Sequence, residues 1–173
     1  MQARKARLLD VDAIDSLIQQ YSADGTLLPR TRAELSENVR DFFVVEESGK
    51  ILGCGALHLY GLHLTEIRSI CVHPELQGKG AGSLLIAELL REAEEQSVSC
   101  VCLFTRIPEF FAHFGFRVAS RTALPDKIYK DCVNCPRLHA CDEVAMVRGE
   151  LPHMAILPVP AKIDVLLPRL MSR

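Results

Sequence analysis

One glycine-rich segment stands out for the chemistry that its backbone could do, Gln77-Gly78-Lys79-Gly80-Ala81-Gly82-Ser83. Three of the five residues from 78 to 82 are glycine, so few side chains cover the backbone there. The segment follows the strand-like run 66–72 and opens an amphipathic helix. Several N–H groups can then face one anion, and the helix dipole adds positive potential at the same place. The pattern predicts a site for the pyrophosphate of a large cofactor whose reactive end lies along the strand.

The order of the glycines separates this segment from two common phosphate loops. The chain has no G-x-x-x-x-G-K-[ST] string, and its G-x-G-x-G order differs from the dinucleotide fingerprint G-x-G-x-x-G. The pattern Gln77-x-x-Gly80-x-Gly82, preceded by Val72-His73-Pro74, resembles the acyl-CoA loop of the GNAT superfamily of N-acetyltransferases. The alternative is a glycine-rich turn without a ligand. Lys79 faces solvent by default, or helps to attract the phosphates of the cofactor.

Length and composition limit the classes of protein that remain. The 173 residues, of which 49% are hydrophobic, suit a single domain over residues 1–173 with one core. A net charge of −2 predicts no broad nucleic-acid surface. We expect a cytoplasmic protein, because no apolar run reaches membrane-spanning length and the N-terminus lacks a signal-peptide pattern. Seven cysteines in that setting indicate free thiols.

We call residues 77–83 the glycine loop. Hydrophobic periodicity and turn signals predict the helices and strands that position it. Thr31 with Glu34 predicts a capping box, and Ser48-Gly49-Lys50 predicts a hairpin. We expect strands over 3–9, 42–46, 51–59, 66–72 and 98–104 and another from 116, with helices over about 10–21, from 31, over 80–96 and over 108–114. This order predicts an α/β fold in which a mixed sheet carries helices on both faces. A proline-rich tail begins at about residue 148.

The same order of elements resembles the GNAT fold over roughly residues 3–147, and the segment 109–116 resembles the family's F-Y-x-x-x-G-F motif. In this family the strand before the loop and the strand after the next helix diverge, and the pantetheine arm lies between them. The resemblance implies a set of residues that bind acetyl-CoA: Ile70, Cys71, Val72, Gln77, Gly78, Lys79, Gly80, Ala81, Gly82, Ser83 and Phe111.

Acetyl transfer from a thioester to an amine needs a base for the amine, a donor for the oxyanion and an acid for the leaving thiolate. Glu66 is the candidate base, since it opens the strand expected to line the acetyl group, where GNAT enzymes often carry a glutamate. Its alternative role is that of a solvated glutamate at a strand edge. The backbone N–H of Ile70 or Cys71 is the candidate oxyanion donor.

The leaving-group acid departs from the family pattern. The usual tyrosine falls at Phe111, which has no proton to give. Thr105 and Tyr129 are the catalytic substitutes that the sequence offers, and either residue could instead be structural. Water or the product amine could also protonate the thiolate.

A narrower resemblance concerns the acceptor. The chain is similar to the short bacterial N-acetylglutamate synthases in the strings 27–31, 66–69, 105–106, 109–111 and 124–132. The resemblance implies L-glutamate as acceptor, and two carboxylates need at least two fixed cations. Five cations lie in these segments; Arg30 with Lys127 or Lys130 is favoured for the carboxylates, with Arg68 and Arg106 behind them. Related domains often pair, so a homodimer is a further expectation.

The cysteines near the end of the described motifs form a cluster of their own. Cys132, Cys135 and Cys141, with His139 between the last two, have spacing that could bind zinc, although a second C-x-x-C pair is missing. Local packing or redox-sensitive thiols are the alternatives. No metal is therefore assigned from the sequence.

Two other functions remain open at this point. The same fold could acetylate another amine, such as a peptide N-terminus; a polyamine fits less well because the candidate segments are basic. A catalytically silent acyl-CoA-binding or regulatory domain is an alternative of a different class, which Phe111 in place of tyrosine favours and Glu66 disfavours.

Overall fold

A computed structural model describes residues 1–135 and 137–151, except the side chains of Pro125, Tyr129 and Asn134. The expected proline-rich tail lies almost entirely outside the described residues. The elements are, in chain order, β1 (Gln2–Lys5), α1 (Val11–Ser22), α2 (Arg32–Glu37), β2 (Phe42–Glu47), β3 (Lys50–Gly61), β4 (Leu64–Val72), α3 (Ala81–Glu95), β5 (Cys100–Thr105), α4 (Pro108–Ala112), β6 (Arg117–Val118), α5 (Pro125–Lys130) and β7 (Val144–Gly149). Short 3₁₀ turns fill several of the connections.

The strands form one seven-stranded mixed sheet in the order β1-β2-β3-β4-β5-β7-β6. All neighbours are antiparallel except β4 and β5, which are parallel. This parallel pair is joined only by Thr65 with Val101 and Glu66 with Cys102, and the strands then separate. The sheet therefore opens in its middle, just beyond Glu66.

The two faces of the sheet hold separate apolar clusters. Along β2, Phe43 and Val45 face the cluster beneath α3, while Phe42 and Val44 face the cluster beneath α1. This alternation follows from the two-residue period of a strand whose two faces are both covered. Burying each large apolar side chain contributes roughly 2 kcal/mol. The mixed sheet with helices on both faces is as the sequence predicts.

A β-bulge in β4 decides which side chains face α3. Ala56 pairs with Arg68 and Cys54 pairs with Cys71, so Ser69 and Ile70 together oppose a single residue of β3. Ser69 has φ of +52°, a conformation that few non-glycine residues adopt. The extra residue shifts the alternation, so Ile67, before the bulge, and Ile70, after it, both pack against the α3 cluster.

Several boundaries differ from the sequence expectations. The first strand ends at Lys5, and a 3₁₀ turn occupies residues 8–10. Asp10 precedes α1 without capping it, because its carboxylate accepts hydrogen bonds from Arg4 and from the Arg7 N–H. The Thr31 capping box is present.

The end of the fold was only partly foreseen. The strand from Phe116 is reduced to the two residues of β6, while α5 and β7 were not expected. β7 inserts between β5 and β6 and pairs with all six residues of β5. In the described ranges, every helix is too short or too polar to traverse a bilayer.

Candidate active site

A cleft of about 610 Å³ opens where β4 and β5 separate. Its lining comes from α1 and the loop after it, the second half of β4, the glycine loop, and the start of α4: Tyr21, Thr26, Ile70, Cys71, Val72, Leu76, Gln77, Gly78, Gly80, Gly82, Ser83, Ile107 and Phe110. A Cβ on Gly82 would lie 3.3 Å from the ring of Phe110, so this glycine lets α4 approach α3 closely. Of the predicted acetyl-CoA residues, only Lys79, Ala81 and Phe111 are absent from this lining.

The glycine loop leaves the N-terminus of α3 unusually bare. Gly78 and Gly80 have φ of +72° and +87°, and a Cβ at either position would meet no atom within 4 Å. No side chain caps α3, and its first helical hydrogen bond runs from Leu84 N–H to the Gly80 carbonyl. The N–H groups of residues 81–83 thus lie at the entrance of the helix without a helical acceptor. This geometry suits a phosphate anion.

Tyr21 is a residue of the cleft that the sequence did not reveal. Its hydroxyl donates to the Val72 carbonyl at 2.5 Å and accepts from Gln77 Nε2 at 2.9 Å. Burial raises the pKa of Tyr21, so the phenol stays protonated at neutral pH. Only three-dimensional folding brings α1 against the end of β4, and no local motif marks this tyrosine.

Glu66 lies at the opening of the sheet, and it is buried rather than solvated at a strand edge. Its side chain is only 3% exposed, and Lys127 Nζ lies 2.7 Å from Oε1. The Tyr60 hydroxyl donates to Oε2 at 2.9 Å. Asp131 joins the same network, 3.0 Å from Lys127 Nζ and 3.2 Å from the Tyr60 hydroxyl. Each carboxylate oxygen of Glu66 is therefore held by a donor.

The network shifts the titration of its members. Burial opposes the charge of Lys127, but the charges and hydrogen bonds of Glu66 and Asp131 outweigh burial and raise the pKa of Lys127. Burial also opposes ionisation of Asp131, but Lys127 and Arg68 lower the pKa of that carboxyl. Burial, followed by the nearby carboxylates, raises the pKa of Tyr60 far above its usual value. At pH 7 Lys127 is thus an ammonium, Asp131 a carboxylate and Tyr60 a neutral phenol.

Arg30 and Arg68 bring further positive charge to this network. Arg68 Nη1 lies 3.7 Å from Asp131, and its side chain is largely buried. Arg30 is half-buried, and among the described residues no carboxylate lies within 4 Å of its guanidinium. Burial, and next the charge of Arg68, lower the pKa of Arg30, while Glu34, Asp131 and Glu66 act in the opposite direction more weakly. Arg30 is thus a poorly compensated cation within electrostatic reach of Arg68, Asp131 and Glu66.

Two of the other predicted acceptor ligands have polar partners outside the Glu66 network, although Lys130 also lies over the ring of Tyr60. Lys130 Nζ lies 2.7 Å from His58 Nε2, and the other ring nitrogen of His58 lies 3.2 Å from Asp41. Arg106 was expected near the acceptor, but its Nε lies 2.8 Å from both carboxylate oxygens of Asp142. Its Nη1 donates to the Gly25 and Thr26 carbonyls in the loop after α1. Among the described residues, no hydrogen bond joins Arg106 to the Glu66 network.

The expected candidates for the leaving-group acid fall in different surroundings. Thr105 is buried, and its hydroxyl accepts from the Ile107 N–H at 3.0 Å, which fixes the start of α4. Phe111 packs in the core, only 3% exposed, whereas the neighbouring Phe110 lines the cleft. The expectation that Phe111 contacts the cofactor therefore fits Phe110 better. Tyr129 lies in α5, but its side chain is not among the described residues.

The cysteines do not gather into a metal centre. In the part of the chain that the structure describes, no three His, Cys, Asp or Glu side chains are grouped as metal ligands. Cys132, Cys135 and Cys141 are half-buried free thiols. Cys135 and Cys141 instead line a small cavity of about 30 Å³ against the loop after α1.

Comparisons with known proteins decide the family. The model of the acetyltransferase (GNAT) domain matches residues 38–118. An uncharacterized N-acetyltransferase of Chlorobaculum tepidum is 39% identical over 145 residues, which cover 84% of this chain and 94% of the relative. The chain belongs to the GNAT family of N-acetyltransferases. This acetyltransferase therefore uses acetyl-CoA as its co-substrate, as the resemblance of the glycine loop implies.

Two further relatives are named for amino-acid acetylation. The amino-acid acetyltransferase of Mycobacterium tuberculosis is 36% identical over 131 residues, covering 74% of this GNAT chain and 75% of the relative. The crystal structure of N-acetylglutamate synthase from Neisseria gonorrhoeae, complexed with coenzyme A and N-acetyl-glutamate, superposes with a TM-score of 0.77 at 29% identity. That match covers 87% of this chain but 35% of the synthase, so this chain corresponds to about a third of that protein.

Proposed function

We propose that this acetyltransferase transfers the acetyl group of acetyl-CoA to the α-amino group of L-glutamate. The observation that carries the proposal is Arg30, a half-buried guanidinium beside Arg68 with no carboxylate within 4 Å among the described residues. The charge of Arg68 disfavours that of Arg30, and the nearby carboxylates of Glu34, Asp131 and Glu66 compensate Arg30 only in part. A carboxylate-bearing acceptor supplies a further anion, and the arginine fork suits its two oxygens.

The position of these arginines relative to Glu66 supports an amino acid in particular. Glu66 and Arg68 are two residues apart on β4, so their side chains leave the strand on the same face. An α-amino group lies two bonds from its own α-carboxylate carbon. A carboxylate held at Arg30 and Arg68 therefore leaves the amine close to Glu66. Relatives named amino-acid acetyltransferases support the same class of acceptor.

Glu66 acts as the base in this proposal. It takes a proton from the acceptor ammonium, directly or through one water, while Lys127 and Tyr60 hold its two oxygens in place. The free amine forms the new N–C bond to the acetyl carbon, and the C–S bond breaks. The thiolate recovers one proton from water or from the product nitrogen, so the proton balance closes without a dedicated side-chain acid.

The other half of the site holds acetyl-CoA, which supplies the activated acetyl group. We assign its pyrophosphate to the N–H groups at the start of α3, where Gly78 and Gly80 leave open space. The bulge at Ser69 frees the backbone of Ile70 from its pairing with β3, and the Ile70 N–H is the proposed oxyanion donor. Phe110 and Ile107 form the apolar wall opposite β4.

An acceptor screen tests the proposal. Purified protein is mixed with acetyl-CoA, and free thiol is followed with glutamate, with each other amino acid, with a short peptide bearing a free N-terminus, and with no acceptor. Glutamate-dependent thiol release supports the proposal, and N-acetylglutamate would then enter arginine biosynthesis. Release only with another amine refutes glutamate as acceptor. Acetyl-CoA binding without any turnover favours a non-catalytic domain.

A matched pair of arginine variants tests the acceptor site. Arg30→Gln should raise the glutamate KM by about 10-fold or more and leave the acetyl-CoA KM nearly unchanged, because one charged contact is lost. Arg32→Gln is the control, since Arg32 is exposed and pairs with Asp12 on the outer surface. Equal effects of Arg30→Gln on both KM values would remove Arg30 from the acceptor site.

A further inference from the structure

The loop that follows α1 reaches both halves of the active site. Within this loop, residues 23–31, Thr26 lines the cleft and Arg30 lies within electrostatic reach of Arg68 and Glu66. Leu27 packs partly buried against the core beneath α1. The position of the loop therefore fixes where the Arg30 guanidinium lies, although Arg30 itself has no anchoring carboxylate among the described residues.

Three charged side chains from distant parts of the chain hold this loop. Arg106 Nη1 donates to the Thr26 carbonyl at 3.0 Å and to the Gly25 carbonyl at 3.3 Å. Arg137 Nη1 donates to the same Gly25 carbonyl at 2.5 Å. Asp142 joins the two arginines, 2.8 Å from Arg106 Nε and 3.6 Å from Arg137 Nη2. We call Arg106, Arg137 and Asp142 the arginine clamp.

The positive charges of the clamp lie close to the C-terminus of α1. Gly25 and Thr26 follow the C-terminus of α1, where the helix dipole is negative and cations are favourable. Asp142 keeps the two guanidiniums together, and its hydrogen bond with Arg106 is the largest cause that lowers the pKa of this carboxyl. Two guanidiniums, held together by one carboxylate, thus converge on two carbonyls that have no helical donor.

The side chains of the clamp are partly exposed, so their loss should affect function more than stability. Arg106, Arg137 and Asp142 have side chains that are 30%, 40% and 53% exposed. Exposed ion pairs contribute little to the free energy of unfolding. The main consequence of losing the clamp is therefore displacement of loop 23–31, not loss of the fold.

We propose that the arginine clamp sets the affinity for the acceptor by fixing the loop that carries Arg30. Arg106, Arg137 and Asp142 are positioning residues that do not touch the acceptor. The inference rests on the proposed function in one respect, that Arg30 binds a carboxylate of the acceptor. It also gives the segment around Cys135 and Cys141 a role, since both cysteines line the cavity between the clamp and the loop.

The test compares Arg137→Gln and Asp142→Ala with the unmodified protein. Each variant should raise the acceptor KM by about 10-fold, leave kcat within about two-fold, and raise the acetyl-CoA KM by no more than about three-fold. The acceptor KM of the double variant should be at most about twice that of the stronger single variant, because both changes disrupt the same clamp. Arg137→Lys keeps a cation at the helix terminus and should recover part of the affinity.

Controls separate positioning from general damage. Arg148→Gln removes a comparably exposed arginine from its pair with Glu94, far from the loop, and should change neither KM. The midpoint of thermal unfolding of each clamp variant should stay close to that of the unmodified protein. Equal increases in both KM values, unchanged KM values, or a lost affinity that tracks the loss of thermal stability would each overturn the inference.

The assay uses whichever acceptor the unmodified protein accepts, so the two proposals fail separately. If that acceptor is a carboxylate-bearing amine other than glutamate, glutamate specificity fails while the clamp is still tested with the true acceptor. If glutamate is the acceptor and the clamp variants behave normally, only the clamp inference fails. An acceptor without a carboxylate overturns both.

Discussion

Lys127 and Glu66 form a buried ion pair at the point where the sheet opens, with Nζ 2.7 Å from Oε1 and side chains that are 12% and 3% exposed. Lys127 comes from α5 and Glu66 from β4, so the pair ties an unforeseen helix to the central strand. Buried charges of this kind are stabilising only as a pair, since removing one partner leaves the other without compensation.

Lys127→Met should therefore lower the free energy of unfolding by about 3 kcal/mol, because Glu66 stays buried and, among the described residues, keeps only the Tyr60 hydroxyl as a donor. Urea titration at pH 7 measures the change. Lys127→Met with Glu66→Gln should recover part of the loss, since no charge is then stranded. Arg91→Met is the exposed control, with pairs to Glu88 and Glu95, and should cost no more than about 0.5 kcal/mol. Similar losses for Lys127→Met and Arg91→Met would contradict a buried pair.

Glu66→Gln should lower kcat by about 100-fold near neutral pH, because glutamine keeps the shape of the side chain but cannot take a proton. The deficit should narrow as the pH rises, since more of the acceptor amine is already unprotonated. Initial rates of thiol release by both proteins between about pH 6 and about pH 9 give the ratio of the kcat of the unmodified protein to that of the variant. A ratio that does not vary with pH would reject Glu66 as the base.

Asp131→Asn should change the pH dependence of the free energy of unfolding. The pKa of Asp131 is lowered in the folded protein, with Lys127 and Arg68 outweighing burial. The stabilisation from its charge is therefore present above its usual pKa of 3.8 and is lost as the pH falls through the folded value. Unfolding free energies of the variant and the unmodified protein should differ at pH 7 and converge below about pH 4. A gap that stays constant down to acid pH would mean that Asp131 acts by packing alone.

Gly80→Ala tests the glycine loop against a matched glycine. Gly80 and Gly49 have φ of +87° and +75°, and neither has an atom within 4 Å of a Cβ. Both alanine variants should lose about 1 kcal/mol of stability from backbone strain. Only Gly80→Ala should raise the acetyl-CoA KM, because its methyl group occupies the space at the start of α3. Calorimetric titration with CoA measures binding directly. Equal affinity of both variants for CoA would mean that the diphosphate does not bind at the start of α3.

The features that the sequence predicted are local ones. The glycine loop, the Thr31 capping box and the hairpin at Ser48 and Gly49 are each encoded within a few residues, so their positions could be predicted. The separation of β4 from β5 followed from the family resemblance, since no single strand encodes it.

The features that it missed depend on contacts between distant segments. The sequence predicts Arg106 as an acceptor ligand, but it does not show that Asp142, 36 residues away, holds the Arg106 guanidinium. Tyr21 reaches the cleft only because α1 packs against the end of β4. β7 was missed because its short apolar run follows a cysteine-rich segment without a turn signal, and its pairing with β5 is what completes the sheet.

The narrow junction between β4 and β5 also has a mechanical consequence. Two residue pairs link the four-stranded half of the sheet to the three-stranded half, and Glu66 is a member of one of them. The backbone of Glu66 is thus anchored on both sides, by His58 of β3 and by Cys102 of β5. Cys71 and Val72, beyond the junction, pair with β3 alone and leave their other edge open to the gap, so the side chain that we propose as the base is held by both halves of the sheet.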